Sequence, residues 1–176
     1  FREHLKLLKD YPIAFAPGTG DFYANINFSI PAFTIESVTG MPYAEYMRQE
    51  VFAPLGMDTA VVDDEGVVIP NRVQGYNIID GQRVPVEKSR DWMLGGGDIE
   101  GRVEDVYCLN KAVKHRLLLR EETWEDVLTP SPINNKGMGC TITQWHGKKR
   151  ITHNGGHSGF RTLHVQLPED DFDIIF

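Results

Sequence analysis

Four strand-like runs close the chain: Gly139–Trp145, Arg150–His153, Arg161–Leu167 and Asp173–Phe176. The connections between them are short enough for antiparallel hairpins, which points to a sheet built by successive returns of the chain. Leu163, Val165 and Leu167 alternate strictly with polar residues, so this run should present one buried and one wetter face. The last run stops in mid-strand at Phe176, without a turn or cap, and the natural chain is expected to continue beyond it.

Helical periodicity dominates upstream. Phe28, Ala32, Ile35 and Val38 recur at three- and four-residue intervals, predicting a helix over Asn27–Val38 with Gly40 as its stop. Pro31 fits that helix if it falls near the first turn, where a missing N–H is no loss. A second helix is expected over Pro42–Phe52, burying Tyr43, Met47 and Val51, before Pro54 and Gly56 end it. The stretch to about residue 90 reads as short strands and loops, with turns at Gly75-Tyr76 and Asp80-Gly81. A third helix over Val103–Leu118 carries Val103, Val106, Tyr107, Val113 and Leu117 on one face. Gly95-Gly96-Gly97 before it lacks the Lys-Ser/Thr ending of a nucleotide loop and reads as a tight turn packing near a cleft.

Composition limits the class of partner. With 176 residues, 41% hydrophobic and 24% charged, the chain has the makings of one globular domain. Its 25 acidic residues outnumber 18 scattered basic ones, which argues against nucleic acid. Lys148-Lys149-Arg150, beside Gly147, reads as a solvated hairpin turn, and so does Glu169-Asp170-Asp171 with Asp173. Cys108 and Cys140 fit no metal or redox spacing. No apolar run approaches the roughly 20 residues of a membrane helix. No transmembrane segment is expected, while localisation and oligomeric state stay open.

Two short motifs carry chemistry. In Tyr23-Ala24-Asn25, a phenol is able to act as general acid or base when cations neighbour it, and an Asn two residues on can donate and accept for a lysine or a substrate amide. The bland reading of the same tripeptide is a packing Tyr and an Asn that caps the next helix. In His153-Asn154-Gly155-Gly156, the glycines let backbone approach a bound substrate, the Gly156 N–H can face a developing oxyanion, and His153 adds a titratable donor. Its bland reading is a Gly-rich hairpin. His153, His157 and His164 lack an acidic or cysteine partner at a spacing typical of zinc sites, so neither metal nor cofactor is expected.

Taken in order, Phe15-Ala-Pro-Gly-Thr-Gly-Asp-Phe-Tyr-Ala-Asn25, Ile35-Glu-Ser-Val-Thr-Gly40, Tyr43-Ala-Glu-Tyr46, Phe52-Ala-Pro-Leu-Gly-Met57, Gly75-Tyr76, Gly95-Gly-Gly97 with Glu104-Asp105, and His153-Asn-Gly-Gly-His-Ser-Gly-Phe160 resemble the beta-lactamase-related serine hydrolases. That superfamily includes class C beta-lactamases, DD-peptidases, D-aminopeptidases and family VIII type esterases. The resemblance implies an α/β (α+β) fold, an antiparallel sheet flanked by helices with a helical insertion, incomplete here at both ends. Residues 1–176 would form one partial domain, with mostly helical insertion and loops over about 15–130 and sheet strands over about 137–176.

The resemblance also implies an acyl-enzyme mechanism on a small-molecule or peptide substrate. Tyr23 would match the proton-shuttling tyrosine and Asn25 a residue that binds substrate amide. His153 would occupy the strand position that is Lys in beta-lactamases, and Gly156 would give one N–H of the oxyanion hole. Asn154 and Gly155 would line the substrate. The nucleophile of such enzymes is a Ser with Lys three residues later. None of Ser29, Ser37, Ser89, Ser131 and Ser158 has that Lys, so the Ser-Lys pair is expected in sequence preceding Phe1. On this reading the polypeptide as given does not turn over substrate. An imidazole at 153 holds a carboxylate less well than an ammonium, which favours esters or D-amino-acid amides and peptides. The same fold without a nucleophile would be a silent ligand-binding or scaffolding protein.

Overall fold

The structure is a computed structural model that describes residues 9–63, 68–86, 94–157 and 159–176. Residues 64–67 and 87–90 of the middle stretch, together with Ser89 and Ser158, lie outside the described residues.

Helix α1 (Ile26–Thr39) follows the first periodic segment and ends at Gly40, whose φ of 71° supplies the left-handed cap. Pro31 falls in its second turn rather than its first, so the helix gives up one interior N–H bond there. Val38 is exposed, and burial falls on Ser29 and Ala32 instead. Next come α2 (Tyr43–Tyr46), a π-helical turn (Met47–Phe52) and α3 (Ala53–Leu55). This continuous segment runs three residues past the expected end, because Pro54 enters the first turn of α3 and the left-handed Gly56 makes the stop.

Ala32, Tyr43, Phe52, Met57 and Val62 form the core of this helical part, with Ile35, Met47 and Leu94 against it. Burial, with Asp98 nearby, pushes the Tyr43 hydroxyl up to about 12. Strands β1 (Val61–Val62) and β4 (Ile99–Glu100) pair antiparallel beside this core. Gly95, at φ 73°, packs backbone onto α1, where an added Cβ would come within 2.6 Å of the Phe28 carbonyl oxygen and 2.9 Å of Ala32 Cβ.

Strands β2 (Gly75–Ile79) and β3 (Gln82–Val86) make a hairpin whose turn is Asp80-Gly81, both at positive φ. Gly75 and Tyr76 are therefore strand residues, not a turn. Helix α4 (Val103–His115) stops three residues short of Leu118, with Arg116 in the left-handed conformation. Its expected apolar face is only partly covered: Val103, Tyr107 and Leu117 are exposed and Val106 and Val113 half-buried, while Asp105, Asn110 and Ala112 are buried. Both polar side chains find a partner where they lie. Asp105 accepts from the Thr59 N–H at 3.2 Å and the Arg102 N–H at 2.8 Å, and Asn110 donates to Asp173 at 2.5 Å.

After α5 (Glu121–Leu128) the chain forms one antiparallel sheet in the order β5 (Thr141–Trp145), β6 (Lys148–His157), β7 (Phe160–Leu167), β8 (Phe172–Ile175). The β5–β6 turn is His146-Gly147, and Lys148-Lys149-Arg150 belongs to β6 itself. Pro168–Asp170 and Asp171 make the last hairpin turn. Ile142 and Ile151 are cross-strand partners and pack with Trp124 and Leu128 into a second core. On β7, Gln166 is buried and bonds the Asn110 carbonyl at 2.8 Å, whereas on the opposite face Leu167 is buried and Leu163 and Val165 are half-buried. The two cysteines are unpaired.

Candidate active site

His153 sits in β6 opposite His164 of β7. Strand β5 accompanies β6 only as far as Thr152, which pairs with Thr141. Among the described residues, the edge of β6 from His153 to His157 therefore has no strand on that side. Half of its backbone polar groups point outward there, ready for a ligand in extended conformation. The His-Asn-Gly-Gly segment lies inside this strand, which runs four residues past its expected end at His153.

Each glycine answers to a neighbour on β7. A Cβ at Gly155 would collide with the Thr162 hydroxyl, and a Cβ at Gly156 would lie 3.6 Å from the Arg161 guanidinium. That guanidinium is anchored on the carbonyls of His157 at 2.8 Å and Phe160 at 2.6 Å. The β2–β3 hairpin buttresses the turn beyond, through Tyr76 N–H to the Gly159 carbonyl and Gly159 N–H to Asn77 Oδ1 at 3.2 Å. Burial holds the His153 imidazole below its ordinary pKa. His164 is lowered by burial and by His153, against the opposing pull of Asp173.

Tyr23 is carried by the loop before α1, and the residue is 54% exposed. It packs against Phe28, with ring centroids 5.8 Å apart. Phe28 in turn meets His153 edge-on at 6.5 Å. The phenol and the imidazole thus lie against one phenylalanine from the first turn of α1. Asn25 occupies the N-cap position of α1 but makes no side-chain cap bond, so the capping role does not consume its amide. Gly95 packs on the Phe28 carbonyl and keeps that turn in place. A separate open hollow of about 490 Å³ lies between α4 and β8, lined by Val103, Tyr107 and Phe172 among others; neither Tyr23 nor His153 borders it.

Two participants lie outside the motifs that mark the site in sequence. Phe28 reads as an ordinary apolar helix position, yet it is the spacer between the two motifs. Lys136 places its ammonium 5.4 Å from the Tyr23 ring centroid and 3.3 Å from Asp21. No group of three or more His, Cys, Asp or Glu among the described residues is arranged to hold a metal ion.

The sequence matches the Beta-lactamase family over residues 2–175, and the chain belongs to that family. It is 30% identical over 127 residues to the putative penicillin-binding protein PbpX of Bacillus subtilis (strain 168), covering 72% of this chain and 32% of that protein. It is 21% identical over 170 residues to the D-aminopeptidase of Gluconobacter oxydans (strain 621H), covering 93% of this chain and 32% of that one. A penicillin binding protein from Bacillus halodurans superposes with a TM-score of 0.84 at 24% identity, over 99% of this chain and 56% of that chain. The fold is the mixed helix and antiparallel-sheet architecture of these proteins. The chain spans about a third of the length of the curated relatives it matches.

Proposed function

We propose that this chain supplies two walls of a serine hydrolase that cleaves an ester, amide or peptide bond through an acyl-enzyme. The observation that carries the reading is the convergence of Tyr23 and His153 on Phe28, next to the open edge of β6. A substrate lying along that edge has its scissile carbonyl near Gly156, whose N–H stabilises the oxyanion. The nucleophilic serine, from a Ser-x-x-Lys segment outside these 176 residues, attacks the carbonyl carbon and loses its proton. Tyr23 relays that proton to the departing alcohol or amine as the carbon–leaving-group bond breaks. Water then attacks the acyl-enzyme by the reverse proton path and releases the acid. Asn25 binds the substrate amide, while Asn154 and Gly155 line the strand it follows.

His153 refines the substrate class. Burial favours its neutral form, so it offers a hydrogen bond rather than a fixed positive charge. Esters and D-amino-acid amides or peptides suit it better than the carboxylate of a beta-lactam, and resemblance to a protein named D-aminopeptidase supports the amide side of that choice. A second reading rests on the five serines, none followed by Lys at the third position. If the full polypeptide also lacks Ser-x-x-Lys, the same walls form a silent binding site.

Intact-mass and peptide mass spectrometry of the full-length polypeptide after a fluorophosphonate or penicillin probe separates the two. The hydrolase reading expects one adduct, on a serine with Lys at the third position after it. No adduct, or an adduct on Ser29, Ser37, Ser89, Ser131 or Ser158, contradicts it.

A further inference from the structure

Among the described residues, the bonds within the loop that bears Tyr23 are local, such as Thr19 N–H and Oγ1 to the Ala16 carbonyl at 3.1 and 2.7 Å, and the Phe15 ring packs on Gly20. Among the described residues, a long-range polar tie comes from Lys136, more than a hundred residues away, whose ammonium reaches Asp21 Oδ2 at 3.3 Å and lies against the Tyr23 ring.

Lys136 itself is firmly mounted. Its carbonyl accepts from Ser131 N–H at 2.9 Å, its N–H donates to Asn134 Oδ1 at 3.0 Å, and it bridges Thr141 at the start of β5. Thr141 pairs with Thr152, the residue before His153. One cation therefore links the loop of the tyrosine to the sheet of the histidine.

We propose that Lys136 is a positioning residue: it fixes the Tyr23 loop to the sheet by pairing with Asp21 and seating its ammonium on the tyrosine ring. The catalytic consequence rests on the hydrolase reading; the mechanical one does not. An exposed ion pair and a cation–π contact are each worth only a few-fold, and the ion pair is screened by salt. The contribution is therefore small for global stability, yet it acts on an exposed segment whose other hydrogen bonds among the described residues are local.

The test uses the full-length polypeptide with Lys136→Met, Lys136→Arg and Asp21→Asn, read by hydrogen exchange over residues 15–25 and by the maximal rate of fluorophosphonate acylation. At low ionic strength, Lys136→Met should speed exchange in that loop by about fivefold, with the thermal midpoint unchanged. Asp21→Asn should speed it less, because the ring contact survives, and Lys136→Arg should restore protection. Raising salt should move the wild type toward Lys136→Met. Acylation should slow by a similar factor at unchanged half-saturation. Exchange indifferent to Lys136→Met and to salt overturns the proposal. So does accelerated exchange with unaltered acylation. If the wild type is not acylated at all, the hydrolase reading fails, and exchange alone decides whether Lys136 holds the loop.

Discussion

His153 lies in a strand whose place is set by backbone pairing, with His164 opposite and the buried Ile151 two residues before it, whereas Tyr23 lies on a half-exposed loop held by side chains. Ile151 is 3% exposed and packs with Ile142, Trp124 and Leu128. Tyr23 touches Phe28 and Lys136. The histidine wall is thus part of the cooperative core, and the tyrosine wall is an attachment to it. Under the proposed hydrolase reading, the strand would hold the carbonyl in a fixed place while the loop lets the phenol adjust as it moves a proton.

Perturbations of the two walls should separate them. Ile151→Ala removes a fully packed side chain beneath the histidine wall and should cost about 3 kcal/mol in denaturant unfolding. Phe22→Ala, in the exposed approach to Tyr23, should cost less than about 0.5 kcal/mol. Equal costs would erase the distinction between core and attachment. Gly155→Ala comes next: its Cβ meets the Thr162 hydroxyl, and the variant should lose about 1–2 kcal/mol. Adding Thr162→Ala should recover most of that loss, and a double variant no better than the single would show that the hydroxyl is not the obstacle.

The smallest effect is the response to pH. His153 and His164 have folded pKa values below their ordinary 6.5, so near that pH the unfolded chain binds more protons than the folded one. Their contribution is present above about pH 6.5 and is lost as pH falls through the folded values. The thermal midpoint should therefore drop by a few degrees between pH 8 and pH 5. His164→Gln should flatten that slope, and an unchanged slope would remove His164 from the cause.

The chain made the sheet legible because its hairpin connections are short and their turns leave local marks. Asp80-Gly81 and His146-Gly147 both adopt positive φ at adjacent residues, a conformation their side chains tolerate. Gly40 and Gly56 mark helix ends for the same reason. The extension of β6 through Gly155-Gly156 left no such mark. Glycine has a weak strand preference of its own, and pairing with Arg161 and Thr162 decides the outcome. Burial on α4 departs from its hydrophobic periodicity because Asp105 and Asn110 go inside on the strength of partners at Thr59, Arg102 and Asp173, which that periodicity does not register.

Within the candidate site, Tyr23 and His153 were visible as motifs. Their spacer Phe28 and the clamp from Lys136 to Asp21 were not, because these contacts join segments far apart in sequence and obey no local period. Sequence order supplied the chemical groups; tertiary packing supplied their mutual placement.

The most direct measurement is the rate at which the full-length Tyr23→Phe variant is acylated by the probe that labels the wild type. With the phenol on the proton path, acylation should slow by about 100-fold while the unfolding midpoint stays where it was. A wild-type rate in a folded Tyr23→Phe protein would take Tyr23 out of the reaction and contradict the account.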